Sequence, residues 1–316
     1  MNQNKEFYDE IINAIREEIP EEIRDMMEVD IREIVKANDT VLHGVIIKAP
    51  EQAIVPTIYI EDCIKQMPEG FAMKDLAEAI ISLYHVGMRE APAVESLSLE
   101  FDDIKDKLVV QLAEVERNRD RLKELAYKPL DNGMLMLAYV VVQEDERGSM
   151  RFAVTKDIVE GQNYDIDKMF ETAMKNNEPV LVDISDAIFS DGIEFAENLF
   201  DKEINDKLPD GMYTLTNSST NLGAAVLYYP DIQKRIGDML QNSYYVLPSS
   251  IHELMILPCS VNDNPEFLRK MVKEANETVV NPQEVLSDRV FMYDREKERL
   301  VEPKALERNG EERGER

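Results

Sequence analysis

Histidine and cysteine are scarce in this chain: His43, His85 and His252, with Cys63 and Cys259, are all it carries in 316 residues. A three-histidine metal site would need every imidazole, drawn from three distant segments, and no HExxH or CxxC spacing gathers ligands. The two cysteines lie in apolar surroundings, which predicts buried, reduced thiols rather than a disulfide or a metal pair. The phosphate-cradling GxGxxG and GxxxxGK[ST] loops are absent, as are the GxSxG and SxxK nucleophile signatures. No cofactor and no metal is therefore expected. No apolar run approaches the roughly 18–20 residues that span a bilayer. The N-terminal MNQNKEFYDEIINAIREEIPEE has neither a basic n-region nor an apolar h-region. Together these gaps lead to the expectation of a cytoplasmic protein.

Positive charge is also in short supply. Sixty-four acids against thirty-six bases leave a formal net charge of −28, spread along the chain. Such a surface repels phosphates, so direct nucleic-acid binding is not expected. Solubility accounts for the imbalance. A sharper reading is an acidic decoy that imitates DNA in a basic cleft, which needs carboxylates arrayed on one face. With 44% hydrophobic and 32% charged residues the composition is that of a soluble globular protein, and the length favours two domains.

The periodicities predict an α+β fold: two small mixed or antiparallel sheet units backed by helices and joined by a long helix. In the first unit, residues 1–92, Phe7, Ile11, Ile12, Ile15 and Ile19 recur at helical spacing. VDIREIVKAN, VLHGVIIK and AIVPTIYI read as strands, with Asn38-Asp39 as a turn. A short helix follows Glu61, and MKDLAEAIISLYHV closes the unit as a helix with Leu76, Ile80, Leu83 and Tyr84 on its apolar face. EAPAVESLS is the expected boundary. Over 93–128, the spacing of Phe101, Ile104, Leu108, Leu112, Val115 and Leu122 predicts the connecting helix, about 40 Å long. The second unit, 129–302, opens with a hairpin over GMLMLAYVVVQEDERGSMRFAVT and a helix over IDKMFETAMKNN. GMYTLTN and GAAVLYY read as strands joined by the polar loop SSTNL, and Pro230 as the first residue of a helix. Asn264 and Pro265 cap a further helix carrying Leu268, Met271, Val272 and Ala275. VLSDRVFMYDREKERLV is the last strand with a charged turn, and residues 303–316 are expected to be a disordered charged tail.

Chemistry concentrates in SYYVLPSSIHELMILP, residues 243–258, where Ser250, His252 and Glu253 are the candidate catalytic residues. Ser250 and Glu253 match a capping box, but Pro258 would end such a helix within two turns. The rival reading is a hairpin: YYVL in, Pro248-Ser249-Ser250 as the turn, IHELMIL out. On a strand, His252 and Glu253 point to opposite faces while Ser250 and His252 share one. A hydroxyl nucleophile needs a base, a group orienting that base and oxyanion donors. The hairpin leaves that set incomplete and gives the serines to the turn backbone. His43 and His85 read as partly buried, hydrogen-bonded residues. NSSTN at 217–221 fits either a small polar ligand or ordinary loop chemistry.

The order of YTLTN, NLGAAVLYYPDIQKRI, YYVLPSSIHELMILP and PQEVLSDRVFMYDR resembles an uncharacterised bacterial family, a domain of unknown function frequent in anaerobic gut Firmicutes. VLHGVIIK followed by VPTIYIEDCIKQMPEG is similar to its N-terminal section, and LPSSIHE is its most specific element. The resemblance covers roughly residues 5–300 and implies a cytoplasmic bacterial protein associated with mobile elements. It carries no activity and no catalytic residue onto this chain. The residues together favour a non-enzymatic binding or regulatory module with an as yet unidentified protein partner and no membrane. A hydrolase using Ser250 and His252, and an acidic DNA mimic that blocks a DNA-binding protein, stand as the alternatives.

Overall fold

The computed structural model describes residues 2–49, 55–90, 98–145, 148–202, 207–262 and 264–303. The chain folds as α+β in two compact units, Met1–Ser98 and Leu99–Arg316. Residues 304–316, most of the expected tail, lie outside the described residues.

The N-terminal unit runs α1 (Asn2–Glu18), α2 (Glu21–Arg24), β1 (Glu28–Val35), β2 (Val41–Lys48), β3 (Thr57–Tyr59), α3 (Ile60–Lys65) and α4 (Met73–Glu90). Its three strands form an antiparallel sheet in chain order. The β1–β2 turn uses Asn38 and Asp39 at positive φ, which short polar side chains tolerate. Ile11, Ile15 and Ile19, four apart, put one face of α1 into a core shared with Leu76, Ile80 and Tyr84 of α4. Leu83, expected on that face, is instead 43% exposed. It lies about 100° round the helix from Tyr84.

The C-terminal unit holds two antiparallel sheets. The first orders β4 (Leu108–Glu114), β6 (Met134–Asp145) and β5 (Tyr127–Pro129), with β7 (Gly148–Ala153) also paired to β6. The second runs β13 (Arg299–Val301), β12 (Phe291–Asp294), β10 (Tyr244–Leu247), β11 (Leu254–Pro258), β9 (Tyr213–Asn217) and β8 (Pro179–Asp183). Helices α5 (Phe101–Ile104), α6 (Lys156–Gly161), α7 (Ile166–Lys175), α8 (Ile184–Phe189), α9 (Ile232–Leu240) and α10 (Pro265–Thr278) complete it. One core joins Val110 and Met136 of the first sheet to Tyr213, Tyr244 and Tyr293 of the second. The rings of Tyr244 and Tyr293 stack at 5.1 Å.

Three expected elements also need correction. The long connecting helix does not form: α5 ends at Ile104 and LVVQLAE becomes β4, paired Leu108 to Val140, Val110 to Ala138 and Leu112 to Met136. Leu108 and Leu112 satisfy a helical i, i+4 spacing, but with Val110 between them they satisfy an i, i+2 strand spacing equally well. Both faces of β4 are covered, so the polar alternation that marks a strand is missing. GAAVLYY is a buried 3-10 turn, Gly223–Tyr228, not a strand. A Cβ on Gly223 would stand 2.1 Å from Thr216 Oγ1 and 2.6 Å from both Asn217 N and His252 O. The backbone therefore packs where no strand residue could. Finally, α9 starts at Ile232, after Asp231 adopts φ +63, so Pro230 is not its first residue. At α10, by contrast, Asn264 accepts the amide of Phe267 at 3.1 Å and Pro265 opens the helix. Met271, expected on its buried face, is 39% exposed.

Candidate functional site

Strands β10 and β11 pair as a hairpin, Tyr244 opposite Pro258 and Leu247 opposite Met255. Residues 248–253 are all connecting loop, so Ile251, His252 and Glu253 do not belong to the outgoing strand and the two-face expectation for them lapses. The loop is not free. It lies antiparallel along 284–287, with Ile251 N donating to Glu284 O at 2.9 Å, Leu286 N to Ser249 O at 3.1 Å and Ser287 N to Pro248 O at 3.0 Å. Ile251 is buried like a strand residue, as part of the unit's main core.

Two of the three candidate groups, Ser250 Oγ and His252 Nδ1, are engaged by backbone amides. The Ser250 hydroxyl accepts the amide of His252 at 3.0 Å, closing a tight turn. His252 accepts the Leu222 amide on Nδ1 at 3.2 Å. That bond places the ring proton on Nε2, which lies 3.7 Å from Glu284 Oε1. The His252 carbonyl accepts Thr216 Oγ1 at 2.8 Å. Burial holds the imidazole below its ordinary pKa; Glu284 opposes this shift and Arg151 adds to it. A neutral ring with Nδ1 accepting and Nε2 protonated has no lone pair to take a serine proton. Burial pushes the Glu253 carboxyl up, and Glu253 makes no hydrogen bond or ion pair among the described residues. The structure thus brings Ser250 and His252 together as neighbours in a turn.

The loop NSSTN is bonded within itself and to Glu178 and Arg151 outside it. Asn217 Nδ2 donates to Asn221 O at 2.8 Å and Ser219 Oγ donates to Asn217 Oδ1 at 3.0 Å. In the N-terminal unit, His43 is partly buried, as expected. Its Nδ1 is 2.6 Å from Glu61 Oε1, and its amide donates to the same carboxylate. Burial would raise the Glu61 carboxyl, but these bonds outweigh it and hold the group below the usual carboxylate range. His85 is exposed rather than partly buried. Among the described residues no group of three or more His, Cys, Asp or Glu is placed to hold a metal.

Sequence reasoning missed two features. One is the nearly buried carboxylate of Glu114 at the end of β4. It lies 3.2 Å from Arg117 Nε and 2.8 Å from Arg289 Nε, the latter an ion-pair contact outside hydrogen-bond geometry, and accepts Ser287 Oγ at 3.1 Å. Arg117 also pairs with Asp288, which accepts Asn276 Nδ2 at 2.7 Å. The network fastens β4 to the segment that carries the 248–253 loop.

The other is a cavity of about 350 Å³ in the N-terminal unit. Pro20 stops α1, and Arg24 folds back so that Nε and Nη2 donate to Ile19 O at 3.2 and 3.0 Å, sealing the helix end. The chain then turns under α4, and Ile19, Ile23, Met27, Ile47, Ile81 and Met88 supply most of the cavity's wall. Glu18 and His85 are its two titratable members apart from Tyr84. The signal for it was the proline interrupting an apolar stripe.

The sequence profile of DUF5688, a family of unknown function, matches residues 5–295. The chain belongs to the DUF5688 family. The DUF5688 match runs through both compact units and includes the cavity, the Glu114 network and the 248–253 loop. No curated protein and no solved structure matches this DUF5688 chain. Among its described residues no helix is long and apolar enough to cross a membrane.

Proposed function

We propose that the chain is a cytoplasmic, non-enzymatic binding module whose N-terminal unit holds a small, largely apolar molecule. The cavity at α1, α2 and α4 carries this reading: its volume and its mostly apolar wall with few polar groups are those of small-molecule sites. Glu18 and His85 would meet a polar head on the ligand while Ile19, Ile47 and Ile81 enclose its apolar body. The non-enzymatic part is supported by Ser250 and His252, whose hydroxyl oxygen and Nδ1 are both engaged by backbone amides. The cytoplasmic part is supported by two free thiols. Burial raises both, Cys259 to about 11, which leaves them inert.

The test is a fluorescence titration of the full chain with the neutral probe N-phenyl-1-naphthylamine. Saturable one-to-one binding is expected, and Met88→Trp, which fills the cavity, abolishes it without lowering the melting temperature. Equal binding by the folded variant would refute the reading.

A further inference from the structure

We infer that the segment between β8 and β9 is a docking surface for a basic, amphipathic segment of a partner protein. It belongs to the C-terminal unit, whereas the cavity proposed above belongs to the N-terminal unit.

Three large apolar side chains are held in solvent here: Ile188 is 72% exposed, Phe189 87% and Phe195 70%. In α8 only Ala187 is buried. The segment is built rather than slack. Asp183 accepts the Ser185 amide at 2.8 Å and starts α8. Ser190 N donates to Asp186 O at 2.9 Å, and Gly192 N, at φ +148, donates to Ala187 O at 3.0 Å. The 3-10 turn Ile193–Phe195 packs back on α8. Asp186 then takes the Glu197 amide at 3.2 Å, and Asn198 accepts the Leu181 amide at 3.1 Å while donating to Pro179 O at 3.2 Å. Local bonds therefore fix two phenylalanines and an isoleucine where none of the described residues of the unit covers them. Clustered exposure of this kind marks an interaction site, whereas single exposed apolar residues do not.

Charge selects the occupant. Asp186, Asp191, Glu194, Glu197 and Asp201 stand in and around the patch, and Lys202, at its edge, is paired with Glu197 at 2.5 Å. Asp191 and Glu194 are exposed and have no basic partner among the described residues. An apolar centre with an acidic rim complements a segment that presents apolar side chains flanked by Lys or Arg. An anionic bilayer would be repelled by the same rim. A second copy would set these carboxylates against themselves.

The probe is a fluorescein-labelled helical peptide with one leucine face and one lysine face, titrated into the full chain by anisotropy. Expected is saturable one-to-one binding that weakens about tenfold or more in Phe189→Ser/Phe195→Ser and several-fold in Asp191→Asn/Glu194→Gln. Asp9→Asn/Glu10→Gln, exposed acids of α1, leave it unchanged. All replaced side chains are exposed, and melting curves confirm that each variant folds. The inference is overturned if the phenylalanine pair binds as wild type does, or if a glutamate-for-lysine peptide binds equally. Binding of phosphatidylglycerol vesicles through the same phenylalanines, or a dimer in light scattering that the phenylalanine variant dissolves, would overturn it too.

Discussion

The imidazole of His252 accepts the backbone amide of Leu222 across 3.2 Å, and this bond, together with Ala224 N donating to Ile251 O at 3.3 Å, fastens the 248–253 loop to the start of the buried 3-10 turn. Leu222 sits at φ +59, where a non-glycine residue persists only if its surroundings hold it. Replacing His252 with Ala leaves that amide without its acceptor, at a cost of about 1–3 kcal/mol. Urea unfolding checks the loss; a change below about 0.5 kcal/mol, typical of a surface substitution, would contradict the role given to the ring.

His252 also predicts a pH dependence. Its folded pKa lies below the unfolded value of about 6.5. The unfolded chain therefore binds the proton first, and stability is lost as pH falls from about 7 through the folded pKa. Melting temperatures between pH 7 and pH 5 should fall more steeply for wild type than for His252→Gln. Parallel profiles would show that the ring is not held neutral.

Glu253 gives the opposite sign. Burial raises its carboxyl, so its contribution is fully present below the unfolded pKa near 4.3 and is lost as pH rises through the folded value. Glu253→Gln keeps the shape and removes the charge. It should raise the melting temperature at pH 7 and leave it nearly unchanged at pH 4. A variant that destabilises at pH 7 would mean the carboxylate has a partner.

The Glu114 network predicts a large effect from a small change. Glu114→Gln strips the shared carboxylate charge from Arg117 and Arg289, which keep Asp288 and Glu302 as partners, and losing these charged contacts costs about 1–3 kcal/mol. Denaturant midpoints measure it. A loss under about 1 kcal/mol would place the pair with ordinary surface bridges.

Gly223 and Gly161 form a matched contrast. Alanine at 223 must displace backbone atoms of Asn217 and His252, whereas alanine at 161 meets nothing within 4 Å. Gly223→Ala should destabilise by at least about 1–3 kcal/mol, as overpacking does, and Gly161→Ala should be neutral or slightly stabilising. Equal stability of the two variants would count against the packing described at Thr216.

The fold class was legible where burial follows one clear period. Ile11, Ile15 and Ile19 announce α1, and Asn264-Pro265 announces α10. The β10–β11 hairpin was legible from Tyr244, Tyr245 and the proline-bounded run to Pro258. Periodicity failed where both faces are buried: Leu108 and Leu112 satisfy two spacings at once, so β4 read as helix. It failed again at Ile251, which is buried in the main core although it sits in a loop rather than a strand. The Glu114 lock could not be read at all, because its acid and Ser287 are 173 residues apart. Exposed Phe189 and Phe195 likewise carry no sequence mark, since the same residues elsewhere, such as Phe170 and Phe291, fill the core.

The central claim is that the N-terminal cavity takes a small apolar molecule, and isoleucine methyl NMR of the full chain tests it most directly. With the isoleucine methyls labelled and N-phenyl-1-naphthylamine added, the signals of Ile19, Ile23, Ile47 and Ile81 should move together and saturate, while Ile188 and Ile256 stay in place. Unmoved cavity methyls, or shifts confined to isoleucines of the C-terminal unit, would contradict the account.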